Sequence, residues 1–201
     1  MVISHKYKCI FIHIPRTAGT SIAYQKDIFE ITDDGTHDFV INVKNRVGQD
    51  IWNRYFKFCF VRNPFDRFVS LYFYFSQMSK EHRWYNENIP VLTEVQAYED
   101  FEDFCVNFPK TKCRYNFHFI PQYKWITDEK GNILIDFVGK FENLNKSWES
   151  IYKDLSIEGY NALPHENLSA HRCYKDYYSN KTRRIVRRIY KKDIKMFNYT
   201  F

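Results

Sequence analysis

Apolar residues along the chain gather into short β-branched and aromatic runs, each closed by a polar or proline-bearing turn and followed by apolar positions at helical spacing. Residues 8–14, KCIFIHI, form the first run and read as a largely buried strand ended by Pro15, with a loop and then a helix from about Thr20. Residues 57–61, KFCFV, form the second, closed by Asn63 and Pro64. From Pro64 the spacing is helical through about Met78, with proline suited to a first turn. ILIDFVG, residues 133–139, is the third strand. Residues 97–107 alternate apolar and acidic groups at helical spacing, and residues 79–96 before them read as a longer surface loop. A helix over about 144–155 comes next, and the loop LPHENLSAHR leads to a basic helix beginning near Asn180. The sequence contains no internal repeat, linker or low-complexity tract.

Strands alternating with helices predict an α/β fold: a three-layer domain with a central parallel sheet flanked by helices. Ligands of such sheets bind at the carboxyl ends of the strands, where both polar loops begin. The 201 residues fit a single domain, residues 1–201. Hydrophobic residues make up 44% of the chain and aromatics 19%, with 6 Gly and 6 Pro, which excludes a disordered or repetitive chain.

The net charge of +6 is unevenly spread. Residues 171–201 hold ten Lys and Arg against Asp176 and Asp193, a local +8, so the rest of the chain nets to −2. The basic excess belongs to one segment, and nucleic-acid binding by the whole fold is not expected. On that segment Ile185, Val186, Ile189, Ile194 and Phe197 form an apolar stripe, while Arg183, Arg184, Arg187, Arg188, Lys191 and Lys195 cover much of the rest. Such a face reads as solvated, as the rim of an acidic acceptor or cofactor site, or as a nucleic-acid contact. Five cysteines, Cys9, Cys59, Cys105, Cys113 and Cys173, lack the close pairing of zinc sites and read as reduced thiols, with Cys9 and Cys59 as small buried hydrophobes. No stretch resembles a signal peptide or a 20-residue span, so the chain reads as soluble and cytoplasmic, without a transmembrane segment.

Candidate chemistry lies in the two loops. In PRTAGTS, residues 15–21, Ala18 and Gly19 allow close backbone approach, Thr17, Thr20 and Ser21 offer hydroxyls, Arg16 adds a fixed charge, and the following helix presents N–H groups to an anion. The alternative is an ordinary strand-to-helix turn. It is not the nucleotide loop that ends in Gly-Lys-Ser/Thr, which argues against an ATPase or kinase built around a nucleotide-bound metal. In VRNPFDRFVSLY, residues 61–72, Arg62 stands at a strand end and Ser70 inside the next helix. Arginine can bind phosphate through two parallel hydrogen bonds, and a serine can complete the shell. The plainer reading pairs Arg67 with Asp66 or another acid and makes Ser70 a packing residue.

Together, CIFIHIPRTAGTSI and, about forty residues on, FCFVRNPFDRFVSLY closely resemble the sulfotransferases that use 3′-phosphoadenosine 5′-phosphosulfate (PAPS). The likeness is to their carbohydrate branch, which includes the uronyl 2-O-sulfotransferases and many bacterial members. The resemblance extends through FHFIPQ (117–122), FVGKFENL (137–144) and YKKDIKMFNY (190–199). It implies the P-loop-NTPase-like sulfotransferase fold, PAPS as co-substrate with no metal, and a hydroxyl acceptor, most simply a carbohydrate on a surface polysaccharide or glycolipid. It also implies that Arg16, Thr17, Ala18, Gly19, Thr20 and Ser21 bind the 5′-phosphosulfate, and that Arg62 and Ser70, eight positions apart, bind the 3′-phosphate. The family usually carries lysine where Arg16 stands. Either cation stabilises developing charge, but arginine does not donate a proton as lysine can. Arg16 is therefore assigned electrostatic stabilisation.

His37, after the first helix, matches the position of the uronyl enzymes' histidine base, and imidazole suits that task; a solvated loop histidine beside Asp33, Asp34 and Asp38 is the alternative. His118 is a second candidate base, His13 reads as structural, and His165 and His171 as exposed. The competing functions are a nucleotide or small-molecule kinase of related fold, which needs Mg²⁺ and an acidic ligand, and a basic module binding nucleic acid or an anionic membrane.

Overall fold

The computed structural model describes residues 1–31, 37–159, 163 and 172–201. Among these the strands are β1 (Val2–Ser4), β2 (Cys9–Ile12), β3 (Glu30–Ile31), β4 (Phe56–Val61) and β5 (Phe137–Lys140). The helices are α1 (Gly19–Ala23), α2 (Val40–Arg54), α3 (Pro64–Ser76), α4 (Tyr85–Gln96), α5 (Phe101–Asn107), α6 (Tyr123–Ile126), α7 (Leu144–Asp154), α8 (Asn180–Ile189) and α9 (Lys191–Met196). The expected loop LPHENLSAHR, with His165 and His171, and the acids Asp33 and Asp34 fall outside the described residues except at Leu163 and Arg172. Two compact units result, Met1–Arg62 with Gln122–Leu168, and Asn63–Pro121 with Ser169–Phe201.

The first unit holds the sheet, in the order β3-β1-β2-β4-β5. Strands β2, β4 and β5 run parallel, in registers that include Phe11↔Phe58 and Phe58↔Phe137. The expected parallel sheet forms the centre, and one margin departs from it, because β1 pairs antiparallel with both β2 and β3. The class is α/β, with a parallel centre. Every residue of β2 and all but the first of β4 are buried, as their unbroken apolar runs require. One core forms from Phe11, Phe29, Phe58 and Phe60 against Trp148, Ile151 and Tyr152 of α7.

Two sequence expectations change here. The third strand starts at Phe137 rather than at 133, because Asp136 intervenes: its backbone N–H donates to the Lys57 carbonyl, and its carboxylate accepts from the Lys57 backbone and pairs with Lys57 Nζ, each at 2.8 Å. Ile133 makes only an isolated antiparallel bridge with Thr127. Helix α2 has no counterpart in the sequence reading, since only Val40, Val43 and Trp52 are buried along it and Gly48, at φ 78°, breaks its periodicity.

The second unit is helical and strongly aromatic. Helix α3 buries Phe65, Phe68, Val69, Leu71, Tyr72 and Phe75 in a core shared with α4, α5 and α8. The surface loop expected at 79–96 is corrected to include α4: Asn88, Val91, Leu92 and Val95 are buried at helical spacing, although Pro90 lies inside the helix. Helix α8 begins with a capping box between Ser179 and Thr182 and buries Val186. The expected apolar stripe packs against the core through Ile185, Val186 and Ile189 of α8 and Ile194 of α9. No helix among the described residues is long and apolar enough to cross a membrane.

Candidate active site

The first polar loop leaves the carboxyl end of β2, beside the end of β4. Its backbone alternates: Arg16 and Ala18 have φ of 66° and 65°, while Thr17 and Gly19 between and after them stay out of the positive region. Backbone of this alternating kind turns successive N–H groups toward one side and makes a concavity for an anion. Ala18 is also the N-cap of α1 and supplies no side-chain cap, so the first-turn amides of Gly19, Thr20 and Ser21 lack the usual capping oxygen. Helix α1 has five residues, and its macrodipole is correspondingly short. The loop amides, more than the helix dipole, are therefore the groups that could receive an anion.

The loop side chains divide by role. Thr17 is fully buried, and its hydroxyl donates to the Ile14 carbonyl at 2.8 Å, so that proton holds the loop. Ser21 is also buried, whereas Arg16, Ala18 and Thr20 are half-buried at the loop surface.

Gly19 has a contact requirement. A Cβ built on it would fall 1.7 Å from His13 Cδ2, so only glycine lets the loop lie on that ring. His13 is buried, stacks on Phe11 and lies 3.9 Å, centroid to centroid, from the ring of His37. His37 Nδ1 is 2.9 Å from the His13 carbonyl oxygen. A carbonyl only accepts, so Nδ1 carries the proton and the neutral ring has its lone pair on Nε2. Trp125 of α6 meets the His37 ring edge-on at 6.2 Å. Asp38, the described acid beside His37, caps Phe39 and pairs with Arg46 at 2.5 Å. His37 is thus half-buried and packed between rings, not a loose loop histidine.

Arg62 follows β4 and is buried. Its guanidinium lies over the Phe141 ring at 4.3 Å and reaches the Arg16 carbonyl at 3.4 Å. The loop, Arg62 and His37 therefore gather at one end of the sheet in the first unit. Ser70 lies in the second unit, fully buried in α3. His118 is buried there too, its Nδ1 2.8 Å from Asn116 Oδ1. Arg67 is buried and donates to the His118 and Ile120 carbonyls at 2.6 and 3.3 Å. Tyr190 adds a bond to the Phe119 carbonyl at 2.9 Å, so two side chains hold the FHFI segment by its backbone.

Sequence reasoning gave no role to Gln122 or Phe141, although both lie in segments that carried the resemblance; contacts across 60 residues and more leave no local periodicity to find. The strand cysteines are not candidates for nucleophiles. All five cysteines are free thiols, and burial pushes Cys9 up to about 12 and Cys59 higher still, which keeps both protonated at neutral pH.

A model of the Sulfotransferase family matches residues 1–200, and so includes segments of both units. An uncharacterized protein of Archaeoglobus fulgidus is 30% identical over 117 residues, covering 57% of this chain and 79% of its own. No solved structure matches the chain. With a family match over nearly its whole length, the chain belongs to the Sulfotransferase family.

Proposed function

We propose that the protein transfers a sulfuryl group from PAPS to an acceptor hydroxyl, most simply on a carbohydrate, by in-line displacement. The observation that carries this reading is the alternating backbone at Arg16 to Gly19, beside a buried arginine: two sets of anion-binding groups at one sheet edge, as a donor with phosphates at both ends requires. Arg16 and the amides of residues 17–21 take the 5′-phosphosulfate. Arg62 takes the 3′-phosphate, the role that the resemblance also implies for Ser70.

In the transfer, the acceptor oxygen forms a bond to sulfur as the bond from sulfur to the bridging phosphate oxygen breaks, and that oxygen leaves with the electron pair. Charge therefore builds on the leaving oxygen, where Arg16 and the loop amides stabilise it. The acceptor proton goes to His37 Nε2, the atom left with a lone pair by the bond from Nδ1 to the His13 carbonyl.

Two measurements test the reading. 3′-Phosphoadenosine 5′-phosphate should raise the melting temperature without Mg²⁺, and ATP with Mg²⁺ should do so less. Radiolabelled sulfate should then pass from PAPS to at least one member of a saccharide panel. Equal stabilisation by ATP, dependent on Mg²⁺, overturns the donor assignment in favour of a kinase. Transfer to small phenols or tyrosine peptides but to no saccharide overturns the acceptor class.

A further inference from the structure

Arg62 stands one residue beyond β4, where the strand ladder ends and its peptide groups need other partners. Gln122 provides them. Its Oε1 accepts from the Arg62 backbone N–H and its Nε2 donates to the Arg62 carbonyl, both at 2.9 Å, and Gln122 is fully buried. One side-chain amide thereby reproduces the paired bonds of a neighbouring antiparallel strand. The side chain of Arg62 is fixed separately. Parallel pairing of β4 with β5 sets Val61 opposite Lys140, so the next residues out are Arg62 and Phe141, and the guanidinium comes to rest on the Phe141 ring.

We propose that Gln122 and Phe141 are positioning residues, which hold the backbone and the guanidinium of Arg62 in the geometry that receives the donor's 3′-phosphate. The inference rests on the donor reading above. Its physical basis is that an arginine already confined by packing and backbone bonds loses less freedom when an anion binds than a mobile one does. It gives a function to FHFIPQ and FVGKFENL, which contribute these two residues.

The test is a set of isothermal titrations with 3′-phosphoadenosine 5′-phosphate and with adenosine 5′-phosphate, which lacks the 3′-phosphate. The proteins are wild type, Phe141→Leu, Gln122→Glu and Gln122→Ala, each also in an Arg62→Ala background. Phe141→Leu keeps the apolar bulk and removes the π face, and should weaken the bisphosphate by about three- to tenfold. Adenosine 5′-phosphate should change by less than about twofold, and the loss should vanish when Arg62 is already alanine. Gln122→Glu keeps the acceptor but sets a carboxylate against the Arg62 carbonyl, and should behave alike. If both nucleotides lose affinity equally, or the loss persists without Arg62, the residues serve the fold alone and the inference fails. Melting temperatures of the free proteins report folding; should Gln122→Ala not fold, the other two variants decide. A wild type that does not prefer the bisphosphate overturns the donor reading and this inference together. A wild type that prefers it, with no coupling to Arg62, overturns this inference only.

Discussion

Substituting Gly19 by alanine isolates the contact that joins the anion loop to the histidine pair. The new methyl would overlap His13 Cδ2 and Nε2, at 1.7 and 1.9 Å, far inside van der Waals contact. The ring has little room to retreat, being buried, stacked on Phe11 at 5.6 Å and against His37 at 3.9 Å. Overpacking of this kind costs about 1–3 kcal/mol, and alanine's better helix propensity offsets at most about 1 kcal/mol. A mid-range cost of about 2 kcal/mol with the full offset leaves about 1 kcal/mol, which lowers the melting temperature by roughly 2–4 °C in a chain of this size. Turnover should fall further than stability, because the His13 carbonyl orients His37. Thermal melts and sulfate transfer on Gly19→Ala, His13→Ala and the double variant form the assay. With the ring removed the methyl fits, so the double variant should be about as stable as His13→Ala alone. A Gly19→Ala protein within about 0.5 kcal/mol of wild type, or losses that simply add in the double variant, would refute the contact.

Arg16→Ala should lower turnover more than donor affinity, since its charge matters most where charge develops, and Arg16→Lys should keep part of the rate; equal effects on binding and turnover would move Arg16 to ground-state binding. His37→Ala should cut turnover by about 10² to 10⁴ and abolish the acidic limb of the pH–rate profile while sparing donor affinity. A comparable loss in His118→Ala, with His37→Ala near wild type, would transfer the role of base. Burial raises the Cys105 thiol to about 12 in the folded protein, so it stays protonated there while the unfolded chain ionises above about pH 8.5. Stability from this thiol is whole below that pH and is lost as pH rises, by on the order of 1 kcal/mol between pH 8 and 9.5, and urea unfolding of Cys105→Ala should show a correspondingly weaker pH dependence.

Much of the first unit was legible because its strands bury both faces and so read as unbroken apolar runs, and because Pro15 and Pro64 mark where β2 and β4 give way to loop and helix. Charge patterning was equally direct for α8, whose Ser179 cap and apolar stripe are local features. What escaped depends on contacts distant in sequence. Strand β1 is three residues long and acquires its identity by pairing with β2. Helix α4 contains Pro90, a local signal for loop that tertiary burial of Val91, Leu92 and Val95 overrides. In the site, the position of the loop between β2 and α1 and the Arg62 strand end could be read from residue order. The use of the Thr17 hydroxyl inside the loop, and the Gln122 and Phe141 contacts to Arg62, follow from the fold alone.

The placement of glycine separates geometry from contact in the anion loop. A residue other than glycine with positive φ costs about 1–2 kcal/mol, and the loop accepts that cost at Arg16 and at Ala18 while its glycine sits at position 19, where φ is not positive. Glycine is needed there for room, since any side chain would enter the His13 ring. At position 16, glycine would relieve the strain but remove the charge proposed to stabilise the leaving group. At position 18, a polar residue would also adopt positive φ more readily, asparagine or aspartate best of all, yet its oxygen could cap the same first-turn amides that an anion requires. Alanine leaves them uncapped. Strain at both positions is held by neighbours, through the Thr17 bond to Ile14 and the Arg62 contact with the Arg16 carbonyl. A turn serving only to connect β2 to α1 would have no reason to retain two strained residues and an uncapped helix start. A loop shaped to receive an anion has a reason for each.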